Sequence, residues 1–244
     1  MKKRPDYGID APGVIRNLTL SGLLIIALGI LFPHFEYMGI NIETIYIGLF
    51  YGATLIAAAV LMLLYSKSGK FFHRDRIIKM VDWKGDETVL DAGTGRGLLM
   101  IAAAKKLTGG RFVGIDIWNK RDLTKNSYEA ALRNAESEGV REKIELFNED
   151  VRNLTFPDKY FDVILSNLCL HNIKDISERQ KALSELKRVL KPGGTFILSD
   201  YKNIQEYEDS LRESGFSVET TGPYFADTFP PLKIIRAILT VPYD

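Results

Sequence analysis

Residues Val89–Gly97 read VLDAGTGRG, a short apolar run that meets an acid and then three glycines within five positions. Glycine accepts positive φ without steric cost and lets a ligand approach the backbone closely, so the segment predicts a strand turning sharply into a helix. The helix formers Leu98–Leu107, LLMIAAAKKL, follow directly. Open α/β sheets bind ligands at such corners, beyond the carboxyl ends of their strands.

Outward from this corner, strand patterns at 88–92, 111–116, 143–148, 160–166 and 194–200 are interspersed with helix patterns near 97–107, 124–138 and 175–190. This rhythm predicts an α/β fold with a parallel sheet covered on both faces. Asp175 with Glu178 reads as a helix start, and Lys191-Pro192-Gly193-Gly194 as a stop and turn before the fifth strand. A helix near 203–214 precedes two β-rich runs, 216–221 and 232–240, expected to pair antiparallel at the sheet edge across the loop 222–231. A second acid, Asp116, ends the strand RFVGID. The glycines at 93, 95 and 97 do not match the G-x-G-x-x-G spacing of a dinucleotide site, which argues against nicotinamide-dependent reduction, and no G-K-[ST] follows to make a phosphate loop.

The chain has 244 residues, 46% hydrophobic and 26% charged, which suits one globular domain plus an additional element. That element lies at the amino end: 17–33 and 44–66 carry no charged residue. The second run is long enough for a helix to cross a hydrocarbon core of about 30 Å, and the first is plausible as its hairpin partner. Lys2, Lys3, Arg4 and Arg16 precede the pair, Lys67, Lys70, Arg74 and Arg76 follow it, and the linker holds no Lys or Arg. By the positive-inside tendency both termini and the catalytic domain face the cytoplasm in a multi-pass membrane protein. A signal peptide and a buried soluble hairpin are the rival readings. Residues 1–16 read as a mobile cytoplasmic lead. Residues 67–84 read as an amphipathic connector, either a helix on anionic headgroups or an ordinary packing helix. One cysteine, Cys169, and three scattered histidines supply no cluster for a protein-held metal.

VLDAGTGRG, VGIDIW (113–118), NEDVRNLTFPDKYFDVILSN (148–167) and LKPGGTFILSD (190–200) together resemble the motifs of class I S-adenosylmethionine-dependent methyltransferases, over about residues 85–240. The stretch 116–140 together with the two apolar runs is similar to a membrane-associated, type 11/25-like branch of that family. The resemblance implies a Rossmann-like seven-stranded sheet with an antiparallel edge strand at 85–244, behind a transmembrane hairpin at 17–66. It also implies S-adenosyl-L-methionine as cofactor. Gly93, Gly95 and Gly97 would leave room for the cofactor, with Thr94 between them. Asp91 would orient the turn or accept from the cofactor's ammonium, and Asp116 would take both ribose hydroxyls. Ile117 and Trp118 would flank adenine, Asp150 would accept from its amino group, Val151 would touch the ring, and Asn167 would face the methionine end. For each there is a plainer structural role, such as Asp91 capping the turn or Trp118 packing in the core.

Methyl transfer from a sulfonium is an in-line displacement, for which alignment and a dry pocket supply much of the acceleration. A base is needed only if the acceptor must lose a proton, and His171 in SNLCLHNI is either that base or a hydrogen-bonding loop residue. Tyr201, Asp200 and Asn126 are weaker alternatives, and Cys169 reads as a small packing residue. The fourth strand ends in Ser166-Asn167-Leu168-Cys169 without an N-P-P-[YF] signature, and no basic stripe points to nucleic acid. An anchored active site favours a small or lipid acceptor held at the bilayer, such as a prenylated quinone. A membrane-bound sensor or scaffold that binds the cofactor without turnover is the alternative. The oligomeric state is left open by the sequence.

Overall fold

A computed structural model describes residues 4–240; residues 1–3 of the expected lead and 241–244 of the expected catalytic domain lie outside them. Two helices come first, α1 (Pro12–Leu31) and α2 (Thr44–Leu64). Pro12 opens α1 ahead of the charge-free run, its φ already set for the first helical turn. The pair packs through small residues. A Cβ on Gly52 would lie 2.6 Å from the Gly22 carbonyl oxygen, and one on Gly48 would lie 2.9 Å from the Gly29 Cα. Small residues of this kind let apolar helices approach backbone to backbone where no water drives them together. The outer faces are apolar and open, with Leu24 60% and Phe50 67% exposed. Both helices are long and apolar enough to cross a membrane. The linker folds into a ribbon that the sequence did not announce, β1 (Phe35–Tyr37) against β2 (Ile40–Ile42), turning at Met38 and Gly39, both at positive φ.

α2 runs through one π-helical turn, Tyr65–Gly69, into α3 (Lys70–Lys79). Lys70, His73, Ile77 and Ile78 of α3 are buried, so the connector is a packing helix that fixes the hairpin to the α/β domain.

The domain is built on β3 (Thr88–Ala92), β4 (Arg111–Asp116), β5 (Ile144–Asn148), β6 (Phe161–Asn167), β7 (Leu190–Asp200), β8 (Phe216–Tyr224) and β9 (Leu232–Leu239), in spatial order β5-β4-β3-β6-β7-β9-β8. The first five run parallel, and β9 lies antiparallel to both β7 and β8 at that edge. The intervening helices are α4 (Leu98–Ala104), α5 (Tyr128–Glu138), α6 (Ile176–Val189) and α7 (Ile204–Glu213). Successive residues of one strand serve opposite faces: Leu90 joins the cluster under α6 and α7, Val89 the one under α3, α4 and α5. Since β4 lies on one side of β3 and β6 on the other, the strand order reverses at β3, which makes its carboxyl end a ligand crevice.

Two expectations are corrected. Lys191–Gly194 is not a turn before the strand; it lies inside β7 as an irregularity, the register jumping from Phe161↔Leu190 to Val163↔Thr195. The described part of the lead is not a loose tail. Tyr7 is 6% exposed, the Thr124 amide donates to Ile9 O at 3.0 Å, the Ala11 amide to Asp122 O at 2.8 Å, and Lys70 Nζ donates to Tyr7 O and Gly8 O at 2.8 and 2.6 Å. Its prolines and glycines shape a strap across the domain instead of loosening it. The helix expected from 124 begins at Tyr128, because the Ser127 hydroxyl caps it by accepting from the Ala130 amide.

Candidate active site

Asp91 ends up 2% exposed at the end of β3, where its Oδ2 accepts from the Thr94 hydroxyl at 2.9 Å and from the Met100 amide at 3.1 Å. It therefore ties the glycine turn to the first turn of α4, the orienting role of the two proposed for it. Burial pushes its carboxyl up to about 7. The three glycines are needed for their backbone: φ is +78° at Gly93, +54° at Gly95 and +84° at Gly97. A Cβ on Gly93 would sit 2.5 Å from Cys169 Sγ, and one on Gly97 would sit 2.9 Å from Met100 Cε.

Asp116, at the end of β4, reaches across to this turn. Its Oδ2 accepts from the Gly95 amide at 2.8 Å, while its Oδ1 faces the Trp118 amide and, at 3.4 Å, the Asn126 carboxamide nitrogen. Burial raises its pKa above the usual carboxylate range, and these donors offset only part of the rise. On the far side of the crevice, β6 ends in Asn167, and the short helical turn after it presents His171. His171 Nδ1 lies 2.9 Å from Asp200 Oδ1 at the end of β7, and its ring is 4.9 Å from the Tyr201 ring.

A cavity of about 1430 Å³ joins these ends. Asp91, Gly93, Thr94, Gly95, Asp116, Ile117, Asp150, Val151, Asn167 and His171 all line it. Gly97 does not; it serves the turn into α4. Trp118 is not among the residues that line it; its φ is +56° and its indole packs edge-on against Tyr128 with ring centroids 5.9 Å apart. Asp150 is engaged by Arg152, whose Nε lies 2.9 Å from Oδ1, and this cation holds the carboxyl below its usual range. Cys169 packs against Gly93, its thiol pushed up by burial. The Asn126 and Asn167 Oδ1 atoms are buried with no hydrogen-bond partner among the described residues. Two orphaned acceptors and a bare glycine backbone beside a ribose-height carboxylate suit a ligand with hydroxyl and ammonium donors.

Residues not singled out in the sequence complete the wall. Asp10–Val14, Arg16 and Asn17 of the strap and α1, together with Met62, Tyr65, Ser66 and Lys70 from the end of α2, its π turn and the start of α3, line the same cavity. Their only sequence signal is position, at the inner margins of the two apolar runs.

The glycine corner, bound through Asp116 to the next strand at a strand-order reversal, lies where the resemblance to class I S-adenosylmethionine-dependent methyltransferases implies the cofactor. Residues 90–198 match the family model described as Methyltransferase domain. The chain is 31% identical over 112 residues to a demethylmenaquinone methyltransferase of Bacteroides fragilis, covering 46% of this chain and 42% of that protein. It is 36% identical over 134 residues to a ribosomal protein L11 methyltransferase of Dictyoglomus turgidum, covering 53% and 38%. The chain thus spans less than half the length of these relatives. A S-adenosylmethionine-dependent methyltransferase from Aquifex aeolicus shares the fold, with a TM-score of 0.55 at 21% identity over 68% of this chain and 89% of that one. Residues 90–198 of the α/β unit are thus similar to a methyltransferase domain, and the unit shares its fold with a solved S-adenosylmethionine-dependent methyltransferase.

Proposed function

We propose that this protein is a membrane-anchored methyltransferase that moves the methyl group of S-adenosylmethionine onto a small lipophilic acceptor taken from the bilayer. One observation carries the reading: the cavity over the glycine turn is lined by the inner ends of the hairpin, at Pro12, Val14, Arg16, Asn17 and Met62. An acceptor in the membrane interface would reach the donor without crossing open water.

The hairpin itself supports an anchor. Only 11% and 17% of its two most apolar windows are buried, whereas the core helix of a water-soluble protein is mostly covered. Arg16 and Lys67 flank the spans on the side of the domain, which favours a cytoplasmic catalytic unit with both termini inside.

The cofactor supplies an electrophilic methyl whose bond to sulfur breaks as the bond to the acceptor forms. Asp116 would hold the ribose hydroxyls, Gly93 and Gly95 would leave their backbone open to the methionine portion, and Asn167 would offer its free carboxamide oxygen to the ammonium. Ile117 and Val151 would give adenine apolar contact, with Asp150 at its amino edge. Asp200, acceptor-only when ionised, fixes the proton of His171 on Nδ1 and leaves Nε2 with a lone pair. That nitrogen would take the proton of a hydroxyl acceptor, and Asp200 would stabilise the resulting imidazolium.

Membrane extracts incubated with the full chain and methyl-labelled cofactor test the proposal. Label in the organic phase is expected. Label confined to aqueous small molecules would remove the lipophilic acceptor, and tight cofactor binding with no product in any fraction would favour a non-catalytic sensor.

A further inference from the structure

The hairpin does more than tether the domain: we infer that Tyr65, supplied by the end of its second helix, is an acceptor-positioning residue of the transfer pocket. This rests on the lipophilic-acceptor reading and adds the residue that would seat the acceptor's polar head.

Tyr65 opens the π-helical turn that separates α2 from α3. A π turn accommodates one extra residue, which rotates the helix face that follows, and such turns concentrate at functional sites. Burial deepens where this turn meets the domain. Leu61 and Leu64 are 44% and 56% exposed, as on the rest of the outward face of α2, whereas Tyr65 and Ser66 fall to 6% and 2%. Two contacts fix how deep the phenol goes. Ser66 Oγ accepts from the Asp10 amide at 3.0 Å, docking the turn on the strap. Gly69 lies against the Asp227 carbonyl so closely that a Cβ would come within 1.9 Å of its oxygen, and that same Cβ position is 3.2 Å from the Tyr65 ring.

Tyr65 thereby lines, from the end of α2, the same cavity that Asn167, His171 and Tyr201 line from the α/β domain. Asn167 ends β6, and Asp200 holds His171. The phenol therefore stands between the hairpin and the groups that act on the acceptor. A phenol donates one hydrogen bond and accepts another, so it can hold a hydroxyl or carbonyl oxygen of an amphiphile's head while the apolar tail stays along α1 and α2.

The test uses the full chain in lipid nanodiscs made with a total membrane-lipid extract, methyl-labelled cofactor, and the variant Tyr65→Phe. Cofactor affinity is expected to stay within about twofold of wild type while methyl transfer into lipid falls by about tenfold or more, the pattern of a lost acceptor contact. Transfer unchanged in Tyr65→Phe overturns the proposal even where the wild type methylates lipid. A second readout needs no acceptor: 3-fluorotyrosine placed at position 65 should shift its fluorine resonance when S-adenosylmethionine is added. A resonance that does not move overturns the assignment of Tyr65 to the transfer pocket. If the wild type labels no lipid, the acceptor reading falls, and with it the lipid head assigned to Tyr65.

Discussion

His171 and Asp200 meet through a 2.9 Å contact between Nδ1 and a carboxylate that is itself 1% exposed. The pairing leaves the other ring nitrogen unclaimed at the cavity wall, the arrangement expected of a general base. His171→Ala should lower transfer to a hydroxyl acceptor by about a hundredfold or more, the usual worth of a positioned proton acceptor. Cofactor affinity measured by calorimetry should change little. Undiminished transfer would reduce His171 to a loop residue.

Asp91 predicts a pH dependence of stability. Its carboxyl is raised from 3.8 to about 7, first by burial, so the folded chain without ligand favours the neutral acid more than the unfolded chain does. The stability this adds is full below about pH 4 and is lost as pH rises through about 7. Asp91→Asn keeps an acceptor for the Thr94 hydroxyl and the Met100 amide but cannot ionise. Denaturant titrations across this range should show a flatter profile for the variant than for the wild type.

Gly93→Ala should destabilise the domain by about 1–3 kcal/mol, combining a positive φ with a crowded Cβ. The clash is with Cys169, 2.5 Å away at Sγ and 2.6 Å at Cβ. Cys169→Gly in the same chain should recover part of the loss in melting temperature, because it relieves the contact and leaves the backbone strain. No recovery would show that the strain dominates.

Lys70 is the stitch between the strap and the hairpin. Replacing it with methionine keeps the buried stem and removes the donor to Tyr7 O, Gly8 O and the Asp10 carboxylate. The orphaned carbonyls should cost about 1–3 kcal/mol locally. Hydrogen exchange should accelerate at the Ala11 and Thr124 amides, which bond Asp122 O and Ile9 O, while β3 amides stay protected.

The α/β domain was largely legible because its signals are local: alternation set the seven strands, Asp175 caps a helix, and glycines at 93, 95 and 97 demand a tight turn. Asp116 could be placed at the site because a strand end fixes where its side chain emerges. What escaped was non-local. Pro5, Gly8, Pro12 and Gly13 read as looseness until the strap's partners, Lys70, Asp122 and Thr124, came into view from distant parts of the chain. Trp118 reads as an adenine platform, and its edge-on contact with Tyr128 comes from a residue ten positions away that the strand pattern does not bring beside it. Tyr65 gave no warning, since a π turn has no sequence period and shows only in the burial that follows it.

The account centres on a methyl-donor site organised by Asp116 beneath the hairpin, and calorimetry of S-adenosylmethionine on the full chain in detergent, wild type against Asp116→Ala, addresses it most directly. The account predicts that the wild type binds and that the variant loses at least about tenfold in affinity, or about 1.4 kcal/mol. Equal affinity in the two proteins would contradict it.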